Sequence, residues 1–174
     1  MANKIITCKG NVKYAKVFEH NRDMGERDND ASRTIAAVGG RYMVDFYPYD
    51  AEEWVGKLTD VGAALVVMGY PVVREAEGLS YTKLKRDHNA KTNRTTGEAM
   101  TDFAGAPTVV DEDGQAWDES ILLGNDTEVE IAVDVWFRAG KKTDGNLRLR
   151  AIRVLELVEW DGETPSSDLP DWLK

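Results

Sequence analysis

Tyr81-Thr-Lys83-Leu-Lys85-Arg86 and Trp136-Phe-Arg138 are the residues of this chain best suited to chemistry, and that chemistry is binding. In an extended backbone Tyr81, Lys83 and Lys85 fall on one face, because side chains alternate along a strand. A flat ring beside two ammonium groups can stack a base and hold a phosphate. Trp136 opens a second such group with Arg138, Lys141, Lys142, Arg148 and Arg150. Tyr47 supplies a third exposed ring, and Arg86 adds a cation to the first group. Lys13, Lys16 and Arg41 are secondary candidates for phosphate contact. Each residue also has a plainer reading. Lysines on a solvated edge strand guard against aggregation, and Arg148 and Arg150 could pair with Glu128 and Glu130 across neighbouring strands.

Strands must carry these groups. In 128–135 Val129, Ile131, Val133 and Val135 alternate with Glu128, Glu130, Ala132 and Asp134, the pattern of a half-buried strand. In register Trp136 then points outward. Residues 127–138 and 147–160 form the last two strands, with a slip near Ala151-Ile152 that suggests a bulge. Earlier strands cover 11–19, 41–47 and 79–88; on 41–47 Tyr42, Val44 and Phe46 share a face opposite Arg41, Met43, Asp45 and Tyr47. Asp50 reads as the N-cap of a helix running to about Asp60, with Trp54 and Leu58 turned to the core and Gly62 as the stop. Residues 64–74 read as a short strand-like apolar stretch. Residues 21–34 read as a mobile polar loop, 89–105 as a loop, and 107–115 as a strand and turn. Five or so strands, one short helix and a basic loop before the last strand predict a mainly β chain. An OB-fold is favoured, a five-stranded Greek-key barrel that binds oligonucleotides on its strand face and through two loops. A β-sandwich is the alternative. Residues 1–160 make the domain, and 161–174, rich in Gly, Pro, Ser and acids, a flexible acidic tail.

The chain has 174 residues, 42% hydrophobic and 30% charged, as for one soluble globular domain. No run reaches the length of a membrane span, and no signal peptide opens the sequence. The lone Cys8 allows no internal disulfide and reads as a small semi-buried residue in a reducing cytoplasm. A net charge of −9 at first argues against a polyanionic partner. Its distribution does not: residues 1–100 hold 15 Lys+Arg and 14 Asp+Glu, a net of +1, whereas 101–174 hold 7 and 17, a net of −10. Nine acids and no Lys or Arg lie in 111–134, while 81–94 and 136–153 are basic. The local field decides where a polyanion sits.

Enzymatic readings are weak. A nuclease could recruit Asp111, Glu112, Asp113 and Asp118 to hold Mg²⁺, but Asp-Glu-Asp-Gly-Gln is also a common turn. His20 and His88 lie far apart with no cysteine pair, so no zinc site is expected. No phosphate-binding glycine run and no Gly-x-Ser-x-Gly occurs. Neither cofactor nor metal is expected. An assembly protein with a β-barrel core, or an acidic interaction module, remains an alternative class.

The chain resembles the single-stranded DNA-binding proteins of tailed bacteriophages. Four segments carry the likeness: Gly10 to Phe18, Arg41 to Pro48, Gly105 to Asp118, and Leu123 to Val135 together with Gly145 to Trp160. The resemblance implies an OB-fold and sequence-tolerant coating of single-stranded DNA during phage replication, recombination and repair. It implies action in the cytoplasm of the infected host, as a monomer or homodimer. It also implies a tail that reaches replication proteins such as a polymerase or helicase-primase, here through Asp168, Asp171 and Trp172. The tail departs from the family pattern: it has four acids, Asp161, Glu163, Asp168 and Asp171, and ends Trp172-Leu173-Lys174.

Overall fold

A long antiparallel ladder organises the molecule. In the computed structural model, which describes residues 4–90, 92, 96–99, 104–138 and 140–159, β1 (Lys4–Lys16) pairs along its length with β8 (Thr127–Trp136). On its other side β1 pairs with β2 (Arg41–Pro48), which pairs with β6 (Leu79–Asp87). β8 pairs with β9 (Asn146–Glu156). The strand order is therefore β6-β2-β1-β8-β9, extended at the two edges by β5 (Arg74–Ala76) and β7 (Thr108–Val110). The ladder curls until β6 and β9 face each other, and a buried Arg86 on β6 donates to the Leu149 carbonyl on β9 at 3.4 Å. Five strands curled in this order form the partly open barrel expected from the alternating patterns, an OB-fold.

The interior follows from the alternation. Val129, Ile131, Val133 and Val135 meet Val44, Phe46, Leu84, Leu149 and Ile152, all at most 1% exposed. Helix α2 (Ala51–Asp60) begins where Asp50 Oδ1 accepts from the Glu53 amide at 3.1 Å and ends before Gly62, whose φ of +78° suits glycine. It lays Trp54 and Leu58 into the core, both 0% exposed. Trp54 sits edge-on to Phe46 and donates through Nε1 to Thr82 Oγ1 at 2.9 Å. That bond ties the helix to the strand whose outer face carries Tyr81, Lys83 and Lys85. Cys8 is 4% exposed, and burial, only partly offset by Lys57, raises its pKa, so the thiol is inert packing.

Several expectations are revised. Residues 21–34 are not all loop: Asn29 caps α1 (Asp30–Ala37) by accepting from the Ser32 amide, and Ser32 and Ile35 bury one face. Few apolar residues disguise this helix; its cap and Asp30 at the positive end specify it. β1 begins at Lys4, earlier than expected, because its exposed Ile5 and Thr7 blur a strand whose inner face is Ile6 and Cys8. The apolar stretch 64–74 does not form one strand. It makes a small hairpin of β3 (Val66–Val67) and β4 (Tyr70–Pro71), turning at Met68 and Gly69 with positive φ. The bulge is present in β9, where the pairing shifts between Ala132 and Val133 on the partner strand. The expected tail, with Asp168, Asp171 and Trp172, lies outside the described residues.

Candidate nucleic-acid interface

The outer face of β2 and β6 gathers the sequence-selected groups. Antiparallel register sets Asp45 against Lys83, Met43 against Lys85 and Arg41 against Asp87. Tyr47 and Tyr81, one step further, stack with centroids 5.2 Å apart and planes 23° apart. From β1, Lys13 places its ammonium 5.2 Å above the Tyr47 ring. β1 can lie close to β2 here because residue 10 is glycine, since a Cβ there would collide with the Tyr47 carbonyl and the Phe46 ring. Burial, then Asp45 and Tyr81, raise the Tyr47 pKa, so its phenol stays neutral at physiological pH.

Beside this aromatic pair runs a groove of about 360 Å³ between β6, the start of β9 and the β3–β4 hairpin. Arg74, Lys83, Lys85 and Arg148 line it, and no carboxylate does. Arg74 pairs with Tyr81 in the β5–β6 ladder, so groove and ring pair are continuous. The cations crowd one another: burial, then Arg41, Lys83, Arg74 and Arg148, lower the Lys85 pKa. Burial likewise lowers that of Arg148, with Asp87 pulling the other way. Clustered, partly desolvated cations on a strand face favour an anionic ligand that neutralises them.

The remaining candidates scatter. Arg86 was expected among the exposed cations. It points instead into the barrel seam, 8% exposed, donating to the carbonyls of Gly105 at 2.8 Å and Ala104 at 2.9 Å. Parity explains this: it shares the inward face with Thr82 and Leu84, both 1% exposed. Arg150 is exposed but pairs with Asp134 at 3.0 Å, and Arg153 with Glu130 at 2.8 Å. Cross-strand pairing therefore occurs, with partners other than those expected. Asp134 itself, read as outward, is 0% exposed. Trp136 ends β8 opposite Asn146, half-buried at the rim of the groove rather than inside it. Arg138, Lys141 and Lys142 are exposed in the β8–β9 loop, which meets the hairpin foot through the Ala64 amide and the Gly145 carbonyl at 2.9 Å. Lys16 is exposed opposite Met43, and Arg41 pairs with Asp87 at 2.9 Å. Arg74 and the hairpin escaped sequence reasoning; the only signal was the Met68-Gly69 pair, a turn set inside an apolar run.

The acidic turn is self-occupied: Asp111 Oδ1 accepts from the amides of Asp113 and Gln115, each at 2.9 Å. His20 and His88 lie apart, bonded to the Glu119 carbonyl and the Tyr42 hydroxyl. Among the described residues no cluster of three or more His, Cys, Asp or Glu is placed to hold a metal.

A β6-β2-β1-β8-β9 barrel with cations and rings on its β2–β6 face is the architecture of an OB-fold. Among solved structures, the chain is similar to gp2.5, a single-stranded DNA-binding protein encoded by bacteriophage T7. The TM-score is 0.58 at 17% identity, over 95% of this chain and 99% of that one. It is also similar to the single-stranded DNA-binding protein of bacteriophage Enc34 in complex with ssDNA. There the TM-score is 0.55 at 12% identity, over 91% of this chain and 89% of that one. No protein-family model matches the sequence, and no curated protein does.

Proposed function

We propose that this protein binds single-stranded DNA with little sequence preference and coats it during phage DNA replication, recombination and repair. The groove carries this reading: Arg74, Lys83, Lys85 and Arg148, with no carboxylate in the lining, run beside the stacked Tyr47 and Tyr81. Cations take phosphates and rings take bases; neither distinguishes one base from another, which makes the binding sequence-tolerant. The fold shared with two phage single-stranded DNA-binding proteins agrees with this assignment. Binding is the whole activity in this reading, with no catalytic step, no cofactor and no metal. The work is done in the host cytoplasm. Residues 161–174 then serve as an acidic tail for replication partners, with Asp168, Asp171 and Trp172 as contacts.

Fluorescence anisotropy of a labelled oligo-dT at rising salt tests the proposal. If four cations meet phosphates, log K should fall with log salt with a slope of about −3, since each contact on a single strand contributes about 0.7. A protein that leaves oligo-dT unbound at low salt would refute the reading and favour an assembly role.

A further inference from the structure

Apolar groups seldom stand free in water at the tip of a hairpin without a partner. Here Met68 is 92% exposed, Tyr70 67% and Val66 62%. Only two residue pairs, Val66 with Pro71 and Val67 with Tyr70, hold the tip together. Its foot, by contrast, is fixed. The Val72 amide donates to Leu65 O at 2.9 Å, the Ala64 amide to Gly145 O at 2.9 Å, and the Gly145 amide to Gly62 O at 3.0 Å. Arg74 Nε reaches the Pro71 carbonyl at 3.3 Å from the other end. An anchored base with a bare tip points the apolar groups at something outside the fold.

That something lies alongside. Val67, Met68 and Tyr70 line the same groove as Lys83, Lys85 and Arg148. One wall is apolar and aromatic, the other cationic. A nucleotide has the same division: a base with an apolar face at one end and a phosphate at the other.

We propose that the β3–β4 hairpin is the second wall of the single-strand site. Tyr70 and Met68 pack on base faces while the phosphates of the same strand lie on Arg74, Lys83, Lys85 and Arg148. This rests on the single-strand reading above and deepens it. Among possible occupants, a second copy of the chain would bring its own apolar tip, but that tip, residues 66–71, holds no acid to meet the four cations; single-stranded DNA satisfies both walls. The hairpin contributes no phosphate contact, so it adds affinity without adding salt dependence.

The test compares the full chain with a Met68→Ser/Tyr70→Ser variant and a Lys83→Ala/Lys85→Ala variant, by anisotropy of labelled oligo-dT across salt. Both hairpin residues are exposed, so the thermal transition should stay put. The hairpin variant should bind about 5- to 150-fold more weakly, the range for loss of a base-stacking aromatic, with an unchanged salt slope. The lysine variant should lose affinity and show a slope shallower by about 1.4, two contacts' worth. Photo-crosslinking of the wild-type protein to an oligonucleotide carrying 5-iodouracil should label the peptide that spans 66–71. Unchanged affinity in the hairpin variant, or crosslinks confined to Tyr47 and Tyr81, overturns the hairpin assignment while leaving the single-strand reading intact. So does a hairpin variant that only breaks a wild-type dimer. A wild-type protein that binds no oligo-dT overturns both.

Discussion

Two outward faces of one barrel treat their charges differently. Beyond the start of β9 its arginines are partnered with β8: Arg150 with Asp134 and Arg153 with Glu130, at 3.0 and 2.8 Å. In the groove beside β6, Lys85, Arg74 and Arg148 have no ion-pair partner among the described residues, and Lys83 alone reaches a carboxylate, Asp45 at 3.5 Å. The first arrangement neutralises its own charges, although Asp134 Oδ2 and Arg153 Nε stay buried without a hydrogen-bond partner. The second leaves its cations open to an anionic ligand. A net charge of −9 is compatible with both, because the acids are placed where they meet arginines or solvent and kept out of the groove.

Reversing the groove charges breaks the contrast most strongly. Lys83→Glu/Lys85→Glu should weaken oligo-dT binding by about 100-fold or more at low salt and flatten the salt slope, as lost phosphate contacts require. Tyr47→Ala and Tyr81→Ala come next. Each should cost about 1–3 kcal/mol of binding with the slope unchanged, since rings stack bases and ignore counterions. Trp136→Ala, at the rim, should weaken binding less than either tyrosine without unfolding the protein. A titration that ranks Trp136 above the tyrosines would move the site toward the β8–β9 loop.

A smaller effect is set by pH. Desolvation and neighbouring cations lower the Lys85 pKa, so it loses its proton before ordinary lysines, whose value is about 10.4. Raising the pH toward that value should therefore weaken binding, and Lys85→Arg, which keeps its charge, should remove much of the fall. Stability moves the other way. The folded state disfavours the charged lysine, so Lys85 is a penalty below its depressed pKa, and that penalty disappears as pH rises to the unfolded value. Opposite pH trends in affinity and thermal stability would mark the group as a binding residue. The smallest binding effect belongs to the partnered face. Arg150→Ala should leave oligo-dT affinity within about twofold, yet lower stability by roughly 3 kcal/mol, because it strands the buried carboxylate of Asp134. Arg153→Ala, whose pair is half-exposed, should cost about 1 kcal/mol or less.

How much of this the sequence revealed depends on whether a residue's face followed from its neighbours. Alternation placed Val129, Ile131, Val133 and Val135 on the inside of β8 and put Tyr42, Val44 and Phe46 on one face of β2, and the structure buries all seven. The cap at Asp50 and the pair Trp54 and Leu58 placed α2 for the same reason: the signals are local. Arg86 failed because charge was weighed above parity, although its alternation with Thr82 and Leu84 already assigned it inward. Meeting Arg74 with Lys83, Lys85 and Arg148 depends on the curl that brings β9 round to β6, and no local pattern encodes that. The hairpin was hidden for a different reason. An apolar run ordinarily means burial, and here it means a surface left uncovered by the rest of the fold.

The groove has walls but no roof. The hairpin is fixed at its foot, and Met68 at its tip is 92% exposed. In the proposed role, a strand would not have to be threaded through from one end. It could be laid in sideways at any point along its length, so a circle or a short gap between duplexes would be as accessible as a free terminus.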